Sequence, residues 1–139
     1  MREVLFRGKR SDNGEWVEGV PFFEENRCYI IEDLFICNEY ACTGAVNSMV
    51  IPETVGQFTG LTDKNGKKIF EGDIVAGAAH WLERTKNGAV DFREGSFGLV
   101  WYRGDIETFN PFTSLCNVEY EVIGNIHDNP ELLKGGEAE

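Results

Sequence analysis

The residues that could do chemistry are few and poorly grouped. Glu71-Gly72-Asp73 sets two carboxylates two positions apart. On a strand that spacing puts both on one face, the arrangement an acid–base pair or a cation would need. The competing account is that Gly72 bends the chain and Asp73 accepts hydrogen bonds from backbone N–H groups of the bend, and it carries more weight here. His80 stands beside Trp81 and His127 beside Asp128. Neither belongs to a nucleophile–base motif. Ser11, Ser48, Ser96 and Ser114 lack the Gly-x-Ser-x-Gly turn that presents a hydrolytic nucleophile. Cys37 and Cys42 are five apart, yet no Cys-x-x-Cys or His-x-x-x-His pair accompanies them. Sixteen glycines are present without either phosphate-cradling pattern. The expectation is no catalytic residue, no metal ligand and no cofactor.

The elements that must position these residues belong to a chain of 139 residues, enough for one self-sufficient core. With 42% hydrophobic and 27% charged residues it falls among globular, not disordered, chains. No apolar run, such as residues 20–23 or 34–37, approaches the roughly 20 residues of a membrane span. Charge returns at Arg7, three residues after Val4, so the opening offers no secretion signal and a cytoplasmic location is expected. In that compartment Cys28, Cys37, Cys42 and Cys116 are expected as free thiols.

Net charge is -11, and the acidity lies in the flanks: residues 1–51 carry five basic and nine acidic groups, residues 89–139 three and ten. Such a field repels phosphate backbones and weighs against nucleic-acid binding.

Turn residues recur between short runs rich in Val, Ile, Phe, Tyr and Trp, the pattern of many antiparallel strands. Residues 4–9 and 15–20 flank Asn13-Gly14, which suits a tight hairpin. A third strand is expected over 27–31, then a loop at Thr43-Gly44-Ala45 and an extended run at 48–51, ended by Pro52. Residues 57–61 and 67–70 form a second predicted hairpin around Asp63-Lys64-Asn65-Gly66. Further strands are predicted at 74–76, 89–93, 97–102, 106–109 and 119–126, while 77–88 suits either a short helix or a strand. Asn129-Pro130-Glu131 opens a short helical turn, with Asn129 able to cap it. The aromatic cluster Phe92, Phe97, Trp101, Tyr102, Phe109 and Phe112 suits a barrel core better than a ligand groove. One domain over residues 1–134 is expected, followed by a flexible acidic tail at 135–139.

Two blocks carry a family resemblance. Residues 52–75 contain Pro52-Glu53-Thr54-Val55-Gly56-Gln57, then Thr59-Gly60-Leu61-x-Asp63, Asn65-Gly66-Lys67 and Phe70-Glu71-Gly72-Asp73-Ile74-Val75. Residues 119–133 contain Gly124-Asn125 and Asn129-Pro130. Together these resemble the YopX family of phage and prophage proteins. Phe58 and Phe70 stand where that family commonly has tyrosine, which counts against a catalytic phenol there. The resemblance implies a small mostly-β protein with an SH3-like barrel element, hairpin extensions and a short C-terminal helical turn, made in a bacterial cell carrying phage or prophage DNA. It implies no established reaction. Pro52, Gly56, Gly60, Asp63, Gly66, Gly72, Asp73, Gly124, Asn125, Asn129 and Pro130 are read as its structural motif.

Function is then expected to lie in assembly: a non-enzymatic module binding a host or phage protein, or itself as a homo-oligomer, through strand edges or an aromatic patch. The alternatives are an acidic nucleic-acid mimic drawing on the carboxylates after Ala89, an SH3-like barrel touching nucleic acid through Lys64, Lys67 and Lys68, and a small hydrolase or metal enzyme using Glu71, Asp73 or the histidines.

Overall fold

The computed structural model describes residues 3–36, 43–77, 87–112 and 120–135. Among the described residues it is mostly β, with two antiparallel sheets, one short α-helix and one 3-10 turn. Its contacts divide the chain into two compact units, Met1–Phe58 and Thr59–Glu139. Among the described residues no helix is long and apolar enough to cross a membrane.

In the first unit β1 (Phe6–Lys9) and β2 (Trp16–Glu24) pair antiparallel, as Asn13-Gly14 predicts. Gly14 has φ +77°, and the Asn13 side-chain oxygen accepts the Glu15 N–H at 2.9 Å. The strand β2 runs on through Pro21 to Glu24 and returns as β3 (Arg27–Ile36) across a two-residue turn. Pro21 is tolerated because it lies beyond Gly19, the last β2 residue paired with β1, where one side of the strand has no partner.

Strand β4 (Thr43–Val50) pairs with β3 from Cys28 to Ile36, so Thr43-Gly44-Ala45 is ladder and not the expected loop. Pairing along a long partner outweighs the weak strand preference of small residues. One extra residue, Glu32, forms a bulge between the pairs Ile31–Asn47 and Asp33–Val46, and its carboxylate accepts the Ser48 hydroxyl at 2.6 Å.

The order in this unit is β4-β3-β2-β1-β5, where β5 is Gly56–Thr62. The chain just past β1 bridges the end of β4 at Arg10–Val50, with Ser11 N–H donating to Met49 O and Ile51 N–H to Lys9 O. Among the described residues the sheets stay open, so the expected barrel is not closed. Gly8 and Gly19 are needed for this packing: a Cβ on Gly19 would come within 2.0 Å of the Ile31 carbonyl oxygen, and one on Gly8 within 2.9 Å of Val50. The core here is Cys28, Ile30 and Val50, with Phe6, Val17 and Val55 against it. Burial pushes the Cys28 thiol up from its ordinary pKa.

The second unit holds the far half of β5, its hairpin partner β6 (Lys68–Phe70), and a five-stranded sheet. That sheet is ordered β10-β9-β8-β7-β11, with β7 Asp73–Ala76, β8 Asn87–Arg93, β9 Ser96–Arg103, β10 Ile106–Pro111 and β11 Glu121–Asn125. Alternation assigns its two faces. Ile69, Val75, Val90, Leu99, Trp101 and Tyr120 form the core on one side, each large apolar side chain contributing on the order of 2 kcal/mol. Ile74 and Val100 are buried on the other. Helix α1 (Glu131–Gly135) contacts β8 and β9, and the Asn87 side-chain amide donates to Leu132 O at 2.8 Å.

Candidate functional site

The two sequence blocks form turns held by side-chain carboxylates and amides. Asp63, nearly buried, is the centre of the first. One of its oxygens accepts the N–H groups of Asn65 and Lys67 at 2.8 and 2.9 Å, and the other accepts Val122 N–H at 3.0 Å. The bond from Val122, aided by those from Lys67 and Asn65, holds the carboxyl below the usual range against the opposing effect of burial. Gly66, φ +83°, donates to Asp63 O, and Lys64 N–H donates to Tyr120 O. This turn fastens the β5–β6 hairpin to the start of β11.

Asp73 performs a similar service. Its side chain is 2% exposed, and it accepts Phe70 N–H at 2.8 Å. Gly72, φ +94°, donates to Val90 O and accepts Ile126 N–H. The pair Glu71 and Asp73 is therefore a bend, with Asp73 turned inward. At the other block Asn125 Oδ1 accepts the N–H groups of His127 and Asp128. Asn129 Oδ1 accepts Asn125 N–H at 3.3 Å, so this side chain closes the turn and does not cap α1 as expected. Gly124 lies beneath it, where a Cβ would meet Asn129 Oδ1 at 2.6 Å. Pro130 is exposed ahead of the helix.

In the first unit Pro52 opens a one-turn 3-10 helix, Pro52–Thr54, and the Thr54 hydroxyl accepts Lys9 N–H and donates to Ile51 O. Gly56 pairs with Arg7. Gly60, φ +92°, sits in the second half of β5.

Among the described residues no group of three or more His, Cys, Asp or Glu could hold a metal ion. Residues 78–86 and 113–119, with His80, Trp81, Ser114 and Cys116, lie outside the described residues, as do Cys37 and Cys42. The aromatic cluster divides by role. Trp101 is core, its indole N–H donating to Asn110 Oδ1 at 2.6 Å, and Phe112 packs edge-on to Tyr120. Phe92 and Phe97 pair edge-on beside the turn at Glu94. Phe109 lies over Gly98 with the Arg93 guanidinium above it.

What the spacing of chemical residues missed is the outer face of β2–β3–β4. Val20 stands opposite Ile31, Phe22 opposite Tyr29, Tyr29 opposite Met49, and Ile31 opposite Asn47. Val20 is 57% exposed, Phe22 50% and Met49 45%. A hollow of about 350 Å³ opens there, lined by Phe22, Glu24, Tyr29, Ile31 and Asn47. The signal was the unbroken run Val20-Pro21-Phe22-Phe23: in a strand, side chains alternate between faces, so apolar residues at every position furnish an apolar face on both sides.

A family model described as YopX protein matches residues 5–134. The chain belongs to the YopX family. Among solved structures, protein EF1440 from Enterococcus faecalis is similar, with 30% identity, a TM-score of 0.66, and coverage of 96% of this chain and 99% of that one. A search of curated proteins found no match. The YopX chain thus has its two motif blocks in turns and its exposed apolar surface elsewhere, on β2–β4.

Proposed function

We propose that this YopX chain is a non-enzymatic interaction module that docks a protein on the outer face of β2–β4, in the cytoplasm of a bacterial cell carrying phage or prophage DNA. One observation carries the reading: three adjacent strands present Val20, Phe22, Tyr29, Ile31 and Met49 side by side, with three of them about half exposed. Contiguous exposed apolar area rimmed by polar groups is the mark of an interaction surface. The motif residues support it indirectly, because Asp63, Asp73 and Asn125 are engaged with backbone N–H groups and are not free for bond-making.

The acidic-mimic reading draws less support. Of the carboxylates after Ala89, Asp91 and Glu107 both pair with Arg93, and Glu121 faces Lys64 at 3.8 Å. The same ion pair occupies one of the three lysines a nucleic-acid-binding barrel would use.

The test is a photo-reactive residue placed at Met49 in the protein expressed in its own host, with one at Arg103 as the control. Protein adducts at Met49 and none at Arg103 are expected. Absence of adducts at Met49, together with a monomer by light scattering, sinks the proposal.

A further inference from the structure

The chemistry of the partner can be read from what surrounds the apolar face. On β2 the residues that point outward are Trp16, Glu18, Val20, Phe22 and Glu24 in alternation, so two carboxylates bracket the exposed Val and Phe. Glu24 also lines the hollow. Glu25 follows in the turn with φ +55°, a conformation that glycine or asparagine adopts more readily.

No ion pair among the described residues engages Glu18, Glu24 or Glu25. The nearby cations do not change this. The Arg7 guanidinium is stacked over Trp16 at 4.6 Å, and Arg27, opposite Glu24 in the register, forms no ion pair with it. Some exposed carboxylates elsewhere are paired, Asp12 with Arg10, and Asp91 and Glu107 with Arg93. Glu18, Glu24 and Glu25 differ from other unpaired surface carboxylates, such as Glu94 and Asp105, in bordering the apolar face of β2–β4.

The hollow of about 350 Å³ lies near the lower end of ligand clefts and has room for one large side chain. A second copy of the chain fits the site poorly, since it would bring another net charge of -11 and the same unpaired carboxylates.

We propose that this face takes a basic protein segment, which inserts one large apolar side chain between Phe22, Tyr29 and Ile31 and sets lysines or arginines against Glu18, Glu24 and Glu25. The inference rests on the interaction-module reading and narrows it to one class of partner.

Three synthetic peptides of equal length test it: a tryptophan flanked by lysines, the same tryptophan flanked by glutamates, and a serine flanked by lysines. Each is titrated into the isotopically labelled full chain and followed by amide chemical shifts. The lysine–tryptophan peptide is expected to bind at least about tenfold more tightly than either control, with shifts centred on β2–β4 and affinity falling as salt rises. Phe22→Ser is expected to weaken it about tenfold, and Glu18→Gln with Glu24→Gln to flatten its salt dependence. If Phe22→Ser gives a disordered spectrum, Met49→Gln takes its place, with loss of affinity again expected. Equal binding of the lysine peptides with and without tryptophan, or shifts mapping away from β2–β4, overturns the inference. Concentration-dependent dimerisation abolished by Phe22→Ser also overturns it, but leaves the interaction-module reading standing.

Discussion

Two three-stranded antiparallel surfaces in this chain are built alike and finished differently. Each has a hairpin with a glutamate at positive φ in its turn, Glu25 between β2 and β3 and Glu94 between β8 and β9. On β8–β10 the face away from the core is closed by the chain's own groups. Val100 is 4% exposed, Phe109 covers Gly98, and Arg93 lies above Phe109 with Asp91 and Glu107 as its partners. On β2–β4 the corresponding face ends in exposed Val20, Phe22 and Met49 with open carboxylates beside them. A sheet needs one buried face to be stable; what covers the second is a separate matter of sequence. Here one second face is covered from within and the other is exposed among the described residues.

The largest expected effect comes from undoing the closure of residues 59–139. Asp63→Ala removes the acceptor for three backbone N–H groups and leaves them near a core, at a cost of about 3 kcal/mol or more in chemical denaturation. Because the folded state holds this carboxyl below its ordinary value of 3.8, its contribution is present above the unfolded pKa and is lost as pH falls through the folded one. The variant is therefore expected to lose the steepest part of the acid unfolding curve, below about pH 4. An unchanged acid limb would remove Asp63 from its place at the centre of this turn.

Next in size is a matched pair of valines. Val100→Ala deletes two methyl groups from a site 4% exposed and is expected to cost about 2 kcal/mol, whereas Val20→Ala, at 57% exposed, should fall within about 0.5 kcal/mol of the parent. Equal costs would mean that the face of β2–β4 is covered in solution, and the contrast between the two sheets would fail.

The contrast also bears on what the sequence made legible. Strand content, the Asn13-Gly14 hairpin and the turns at residues 63–66 and 71–73 were readable because Gly, Asn and Asp supply backbone geometry locally. The bend at Glu71-Gly72-Asp73 was readable as architecture for the same reason. The extent of β3 and β4 was not, since Thr43-Gly44-Ala45 acquires its pairing from residues 34–36, which local preference does not see. Asn129 carried a capping signal, and its side chain was drawn to Asn125 N–H by the turn that follows β11. The exposed face was hidden because an apolar run reports burial and exposure alike; only the register decides which residues go to which side.

Tyr120 sharpens the description of the closed unit. Its hydroxyl is buried with no hydrogen-bond partner among the described residues, and desolvation pushes its pKa up from 10.0 to about 12. Here the raised value belongs to an acid that ionises more easily when unfolded. Stability is thus unaffected below about pH 10 and falls as pH rises from there toward 12. Tyr120→Phe should keep the fold at neutral pH, with stability equal or slightly higher since the orphaned hydroxyl is gone, and should flatten that alkaline decline. Denaturant titrations of both proteins across this range check it, and identical slopes would show that the phenol has access to water.

The smallest effect separates the two hairpins most finely. Glu25→Gly and Glu94→Gly each relieve a left-handed backbone at a residue with a Cβ, and each is expected to raise stability by about 0.5 kcal/mol after glycine's own entropic cost. The turns are equivalent in that respect, so thermal unfolding should treat them alike. Binding should not. If carboxylates beside Val20 and Phe22 meet a basic segment, Glu25→Gly loses one surface charge pair and weakens the lysine–tryptophan peptide about two- to fivefold. Glu94→Gly, from the sheet that already has Arg93 on its face, leaves that affinity unchanged. Equal losses from the two variants would trace the attraction to overall charge and not to the open face, because both remove one unit from the same -11.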